Sequence, residues 1–168
     1  MLKPPIRIGV SACLLGQSVR YDGGHKQLAI LQQEIFQSFD LLAICPEVAI
    51  GLSVPRKPMH IIVSANEFRA VQIQNPSLDF TDQLKQYALK IASESLHGFI
   101  CKSRSPSCGY LSTPVHSEVK PELGSGIFAQ QLKDYLPRLP MLEDTDLSNN
   151  AACRLFIEQV LAYFHAQK

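Results

Sequence analysis

Short runs of branched, apolar residues alternate along this chain with stretches of helical periodicity, and that alternation restricts the fold more than any other feature of the sequence. "IRIGVSA" at residues 6–12 has the make-up of a short buried strand and ends in the polar, glycine-rich loop "QSVRYDGGHK". Leu28, Leu31, Ile35 and Phe39 then recur at spacings of three and four, which predicts a helix with one apolar stripe before the next strand, "LLAI". "MHIIVS" at 59–64 and "FRAVQI" at 68–73, separated by "ANE", predict a hairpin or an excursion at the sheet edge. Thr81 is placed to cap a helix whose Leu84, Tyr87, Ala88, Ile91 and Ala92 share a face, and "GFIC" reads as a third core strand. Further on, "GSGIFAQQLKDYL" is a helix led by glycines, "LPML" a last short strand, and residues 150–165 a final amphipathic helix. The expectation is a single α/β domain over residues 1–168, Rossmann-like, with a mostly parallel central sheet and helices on both faces. Ligands of such sheets bind beyond the carboxyl ends of the strands.

Charge does little to select a partner. Lys plus Arg number 16 and Asp plus Glu 15, a net charge of +1, and no run of basic residues forms the stripe that a nucleic-acid backbone requires. No apolar stretch approaches the ~20 residues that span a bilayer, and "MLKPPIRIGV" lacks the features of a secretory signal, so the expectation is a cytoplasmic protein with no membrane contact. In that reducing compartment the five cysteines are poor disulfide material, and thiols that are not simply packed are metal ligands or nucleophiles.

The fold expectation sorts these cysteines. Cys13 follows the first strand, Cys45 ends the second, and Cys108 lies in the loop after "GFIC", so all three belong on one edge of the sheet. Cys101 and Cys153 fall inside apolar runs and read as core. Three thiolates can hold zinc if a histidine joins them, or an iron-sulfur cluster with one iron left open. His25, His60, His97, His116 and His165 are scattered with no pair at metal-binding spacing, which disfavours zinc.

Three extended segments, "GVSACLLGQSVRYDGGHK", "CPEVAIGLSVPRKP" and "KSRSPSCG", in this order and at these separations, resemble the TudS-type thiouracil desulfidase family over nearly the whole chain. The resemblance implies a [4Fe-4S] cluster with three Cys ligands and one open iron. Carried over by position, the ligands are Cys13, Cys45 and Cys108, the catalytic carboxylate is Glu47, and the catalytic serine lies in "SPSC", with Ser105 the first choice and Ser107 the second. The sequence departs from the family pattern after Cys108, where Gly109 and Tyr110 lead into "LSTPVHSE" in place of an Asp-Gly stretch.

What the resemblance implies chemically is hydrolytic removal of sulfur from thiouracil, giving uracil and hydrogen sulfide with no net redox change. The open iron draws electrons from the thiocarbonyl carbon, and a water deprotonated by Glu47 adds to it. Arg20, Tyr21, Asp22 and His25, beside the first ligand, are candidate contacts for a small thiopyrimidine, although Asp22 and His25 serve equally well as local caps and Arg20 as a carboxylate partner. Arg56 and Lys57 are either phosphate contacts or an ordinary solvated turn, and "GSGIF" is either an anion site or a tight turn. Two other functions compete: desulfuration of 4-thiouridine in nucleosides or tRNA, and a non-catalytic iron-sulfur sensor or partner protein in which Glu47 would be dispensable. Neither the preferred thiopyrimidine nor the oligomeric state is legible.

Overall fold

The computed structural model describes residues 5–167. Strand β1 (Arg7–Ser11) runs into a 3-10 turn at Ala12–Leu15, and a second such turn at Ala29–Gln32 precedes the one-turn helix α1 (Glu34–Gln37). Strand β2 (Asp40–Ile44) leads directly into the one-turn helix α2 (Pro46–Ala49). Strands β3 (Met59–Ser64) and β4 (Glu67–Gln72) are followed by helix α3 (Thr81–Ala92) and strand β5 (Gly98–Cys101). Strands β6 (Thr113–His116) and β7 (Glu122–Gly124), helix α4 (Ile127–Tyr135), strand β8 (Met141–Glu143) and helix α5 (Asn150–Ala166) complete the chain.

The central sheet is parallel throughout, in the order β2-β1-β5-β8. Both of its faces are covered, which is why its strands are apolar runs rather than alternating ones. Ile8, Val10 and Ile100 point to the side on which Phe36, Phe156 and Val160 pack, while Phe99 and Cys101 point to the opposite side, against Ala88, Ile91, Phe128 and Leu132 of α3 and α4. The order reverses at β1: the chain passes from β1 to β2 on one side and returns later to β5 on the other. A crevice therefore opens above β1 at the carboxyl ends.

A second, mixed sheet in the order β4-β3-β6-β7 is not legible in the sequence beyond its hairpin. The β3–β4 pairing is antiparallel as expected, but the hairpin is not an excursion of the central sheet. It joins β6 in parallel and covers the other side of α3 and α4 through Ile61, Ala70, Val115, Leu84 and Ile127. Strands β6 and β7 escape sequence reading because a four-residue run containing Pro114 and a three-residue run have too little pattern to stand out.

Two further expectations are corrected. The stripe from Leu28 to Phe39 does not form one helix, because Gln33 is extended (φ −75°, ψ 159°) between the 3-10 turn and α1. Leu31 and Phe36 are both buried in the same core, and five positions along a continuous helix would set them about 140° apart. The break lets both point inward. Thr81 does not cap α3 either: its hydroxyl accepts from the Ala70 N–H at 2.9 Å, and Asp79 accepts the Thr81 N–H instead. Helix α5, by contrast, has a side-chain cap, with Asn149 Oδ1 accepting from Ala151 N and Ala152 N.

Helix α5 approaches β5 so closely that a Cβ on Gly98 would lie 2.6 Å from Val160 Cγ2 and 3.1 Å from Phe156 Cζ. Gly98→Ala is expected to destabilise the chain by about 1–3 kcal/mol through overpacking, read as a lowered denaturant midpoint. An unchanged midpoint would show that α5 can retreat without cost.

Candidate active site

At the carboxyl ends of β1, β2 and β5 lies a cleft of about 490 Å³ lined by Cys13, Cys45 and Cys108 together with Glu47, Ser105, Ser107, Arg20, Tyr21 and Arg56. Each thiol arrives by a different local device. Cys13 sits in the 3-10 turn that ends β1, where its carbonyl accepts from Lys26 N at 2.9 Å. Cys45 is the extended residue before α2, Pro46 is the first helical position, whose missing N–H costs nothing there, and Glu47 follows in the first turn. The Cys-Pro-Glu triplet thus makes a sharp strand-to-helix corner that aims the thiol and the carboxylate into one space.

Cys108 depends on a longer loop, held by contacts that no local pattern announces. Glu143 Oε1 accepts from Tyr110 N at 2.8 Å and from Ser112 Oγ at 2.6 Å, while Asp144 accepts from Ser103 N at 2.7 Å and from Lys102 Nζ at 2.8 Å. Two successive carboxylates at the end of β8 thus pin both ends of the loop. The start of α4 holds its middle, where Gly126 N, Ile127 N and Ala129 N donate to the carbonyls of Gly109, Pro106 and Ser107. Those donors serve the loop, so "GSGIF" is the tight-turn alternative and not an anion site. A Cβ at Gly126 would run into the Ser107 carbonyl and lie 2.8 Å from Cys108 N, so only glycine allows this approach.

Hydroxyls and one carboxylate form a chain across the cleft. Ser107 Oγ donates to Glu47 Oε1 at 3.0 Å, lies 3.2 Å from Ser105 Oγ, and is 3.8 Å from Cys108 Sγ. Ser105 Oγ accepts from Ser107 N and Cys108 N. The other oxygen of Glu47, Oε2, accepts from Arg56 Nε at 2.6 Å in a pair whose side chains are 12% and 7% exposed. The sequence leaves Arg56 open between a phosphate contact and a solvated turn. It is neither, but a buried partner of Glu47, and a separation of nine positions conceals the pairing.

Burial raises all three thiols. It pushes Cys13 up to about 11, against the pull of the Arg20 and Lys102 charges, and raises Cys108 further still despite the Ser11 and Ser107 hydroxyls beside it. Cys45 is raised by burial too. Burial would likewise raise Asp144, but the Lys102 ammonium and the Ser103 N–H outweigh it and hold that carboxyl below its ordinary value. All three cleft cysteines are free thiols. Among the described residues, no three Cys, His, Asp or Glu side chains close around a single metal ion.

The remaining candidates divide. Arg20 and Tyr21 line the cleft, whereas Asp22 and His25 do not and instead brace the turn, Asp22 Oδ1 accepting from Gly24 N at 3.0 Å and His25 Nδ1 from Gln27 N at 3.2 Å. Cys101 and Cys153 are buried in the two cores on either side of the sheet. His60 and His116, distant in sequence, meet with ring centroids 4.8 Å apart on the second sheet, and neither lines the cleft.

The fold and this cleft define an α/β protein with three convergent thiols at the carboxyl edge of a parallel sheet. Residues 8–144 match the model of the 2-thiouracil desulfurase family, and the chain belongs to that family. It is 31% identical over 134 residues to the Bacillus subtilis (strain 168) protein YbbK, covering 74% of this chain and 87% of that one. A solved structure of the [4Fe-4S]-dependent thiouracil desulfidase TudS superposes with a TM-score of 0.65 at 30% identity, covering 88% of this chain and 96% of that one.

Proposed function

We propose that this protein is a [4Fe-4S]-dependent thiouracil desulfidase that hydrolyses the C=S bond, with Cys13, Cys45 and Cys108 as the cluster ligands and one iron left without a protein ligand. The observation that carries this reading is that thiols from three separate strand ends share one cleft with the Ser105–Ser107–Glu47 chain. Their chemistry suits the group. Three thiols that burial keeps protonated are poor nucleophiles on their own, whereas metal centres take them as thiolates and displace the protons. Thiols that reach one cleft from three separate strand ends suit a group with several metal vertices.

When bound, such a cluster supplies a soft Lewis acid for the thiocarbonyl sulfur. The chain's own residues manage water and protons. Ser107 donates to Glu47, which leaves the Ser107 oxygen to accept from Ser105, so the hydroxyl chain is polarised toward the carboxylate. A water adding to the thiocarbonyl carbon passes its proton through Ser107 to Glu47, and Ser105, the less buried hydroxyl, lines the cleft and donates to Ser107. C=S and water become C=O and hydrogen sulfide, and no electron is added or removed. Tyr21, 44% exposed at the cleft wall, offers a face for the pyrimidine ring.

A second reading has one observation in its favour. Lys26 and Arg104 line the cleft, and neither side chain has an ion-pair partner among the described residues. Two unpaired cations suit a substrate that carries a phosphate, and so a thiouridine nucleotide rather than the free base. Side-by-side turnover of thiouracil and thiouridine monophosphate decides between them.

Purified without oxygen, the chain is expected to be brown, with about four irons and four sulfides per chain. It should release hydrosulfide in step with uracil when no reductant is supplied. A colourless protein holding one zinc would refute the cluster. A brown protein without turnover on either substrate would favour the sensor or partner reading.

A further inference from the structure

The geometry points to Arg56 as the positioning residue of this site, the group that turns Glu47 so that one carboxylate oxygen faces Ser107. This inference rests on the desulfidase reading above. Arg56 Nε donates to Glu47 Oε2 at 2.6 Å, Nη2 to the Val19 carbonyl at 2.9 Å, and Nη1 to the Ser53 carbonyl at 3.3 Å. The Arg56 backbone N–H donates to the Tyr21 carbonyl at 2.8 Å. One residue therefore ties together the loop after Cys13, the helix turn after Cys45 and its own loop. The Val19 carbonyl it holds is also the group 4.0 Å from Cys45 Sγ.

Each nitrogen of the guanidinium donates within the protein, so the chain itself fixes the plane of Arg56. Its three acceptors lie in the directions of a planar fork, a pattern that a lysine ammonium on a flexible stem does not reproduce. With Oε2 held by Arg56, Oε1 is the oxygen that accepts from Ser107. Without the fork the carboxylate is free to rotate about its last bond, and the Ser107 hydroxyl loses its fixed acceptor. The arginine acts on the reaction through Glu47 and does not touch the reacting atoms.

Arg56→Lys carries the test, because it keeps a cation in the hole and removes only the fork. The expected result is wild-type iron content, a Kd for thiouracil within about threefold by titration of the cluster absorption, and a kcat at least about thirtyfold lower. A kcat within about threefold of wild type would overturn the inference. So would loss of iron, which would make Arg56 a scaffold for the cysteine loops, or a raised KM at unchanged kcat, which would make it a substrate contact. In Arg56→Ala, millimolar guanidinium and not urea should restore turnover. Thermal unfolding midpoints of the chain as purified give a reading independent of turnover: Arg56→Lys and Ser107→Ala do not touch one another, yet their shifts should be less than additive because both act through Glu47. Strict additivity would overturn the inference even if the wild-type chain proved inactive on thiouracil, an outcome that would count against the desulfidase reading alone.

Discussion

Cys13→Ala, Cys45→Ala and Cys108→Ala are each expected to emerge from anaerobic reconstitution with iron near background, whereas Cys101→Ala and Cys153→Ala should load iron as the wild type does. The difference follows from where the thiols face. Cys13, Cys45 and Cys108 line the cleft, but Cys101 is wholly buried with its Sγ turned to the Phe99 carbonyl, and Cys153 packs with Phe156 and Val160. On the proposed ligation, losing one of three thiolates would leave two anchors for a four-iron group and expose a further iron to solvent and oxygen. Truncating Cys101 or Cys153 removes a small apolar group and should lower the unfolding midpoint only modestly. Iron and sulfide analysis with the visible spectrum reads the result. Iron loss in Cys101→Ala with retention in Cys108→Ala would show that the third ligand is misassigned.

The convergence of those three cysteines is legible because strand ends are fixed by short apolar runs that sequence displays plainly. "IRIGVSA" and "LLAI" each end one residue before a thiol and "GFIC" seven residues before Cys108, and parallel strands put such ends on one edge. The Cys-Pro-Glu corner is legible too, since proline announces a helix start. What stays hidden is everything that holds the site by long-range polar contact. Arg56 reaches Glu47, Asp144 reaches Ser103, and Glu143 reaches Tyr110 across intervals that no local spacing reports. The same limit applies to the fold. Strands β6 and β7 are too short for periodicity to register, and β6 is placed by Val115, which packs with Leu84 and Ile127 on the second apolar side of α3 and α4.

The loop that follows Cys108 shows this most clearly. In sequence, "GYLS" is only a departure from the family pattern. In the structure Tyr110 N and Ser112 Oγ both donate to one oxygen of Glu143 at the end of β8, and Arg104 N donates to Ser112 Oγ. These contacts close the loop on itself and present Ser105, Ser107 and Cys108 on its inner side. A polar serine in such a stretch looks like a turn former and is one, but the turn it forms carries the thiol.

Glu47→Gln should retain the cluster spectrum and iron content of the wild type while hydrosulfide release from thiouracil falls by about 10² or more, the range that general acid-base groups supply. The substitution preserves shape, but it reverses one hydrogen bond. The position of Oε2, 2.6 Å from the donating Arg56 Nε, must be filled by the amide oxygen, so the amide nitrogen faces Ser107. Ser107 then accepts where it had donated, and the Ser105–Ser107 chain no longer drains toward a carboxylate. Substrate affinity should change far less, because both oxygens of Glu47 are already engaged, one by Arg56 and one by Ser107, and neither is left to hold the ring. Single-turnover measurement of uracil formation, alongside equilibrium binding of thiouracil, separates the two effects. Full activity with an unchanged spectrum would remove Glu47 from the reaction, and with it the proton path through Ser107.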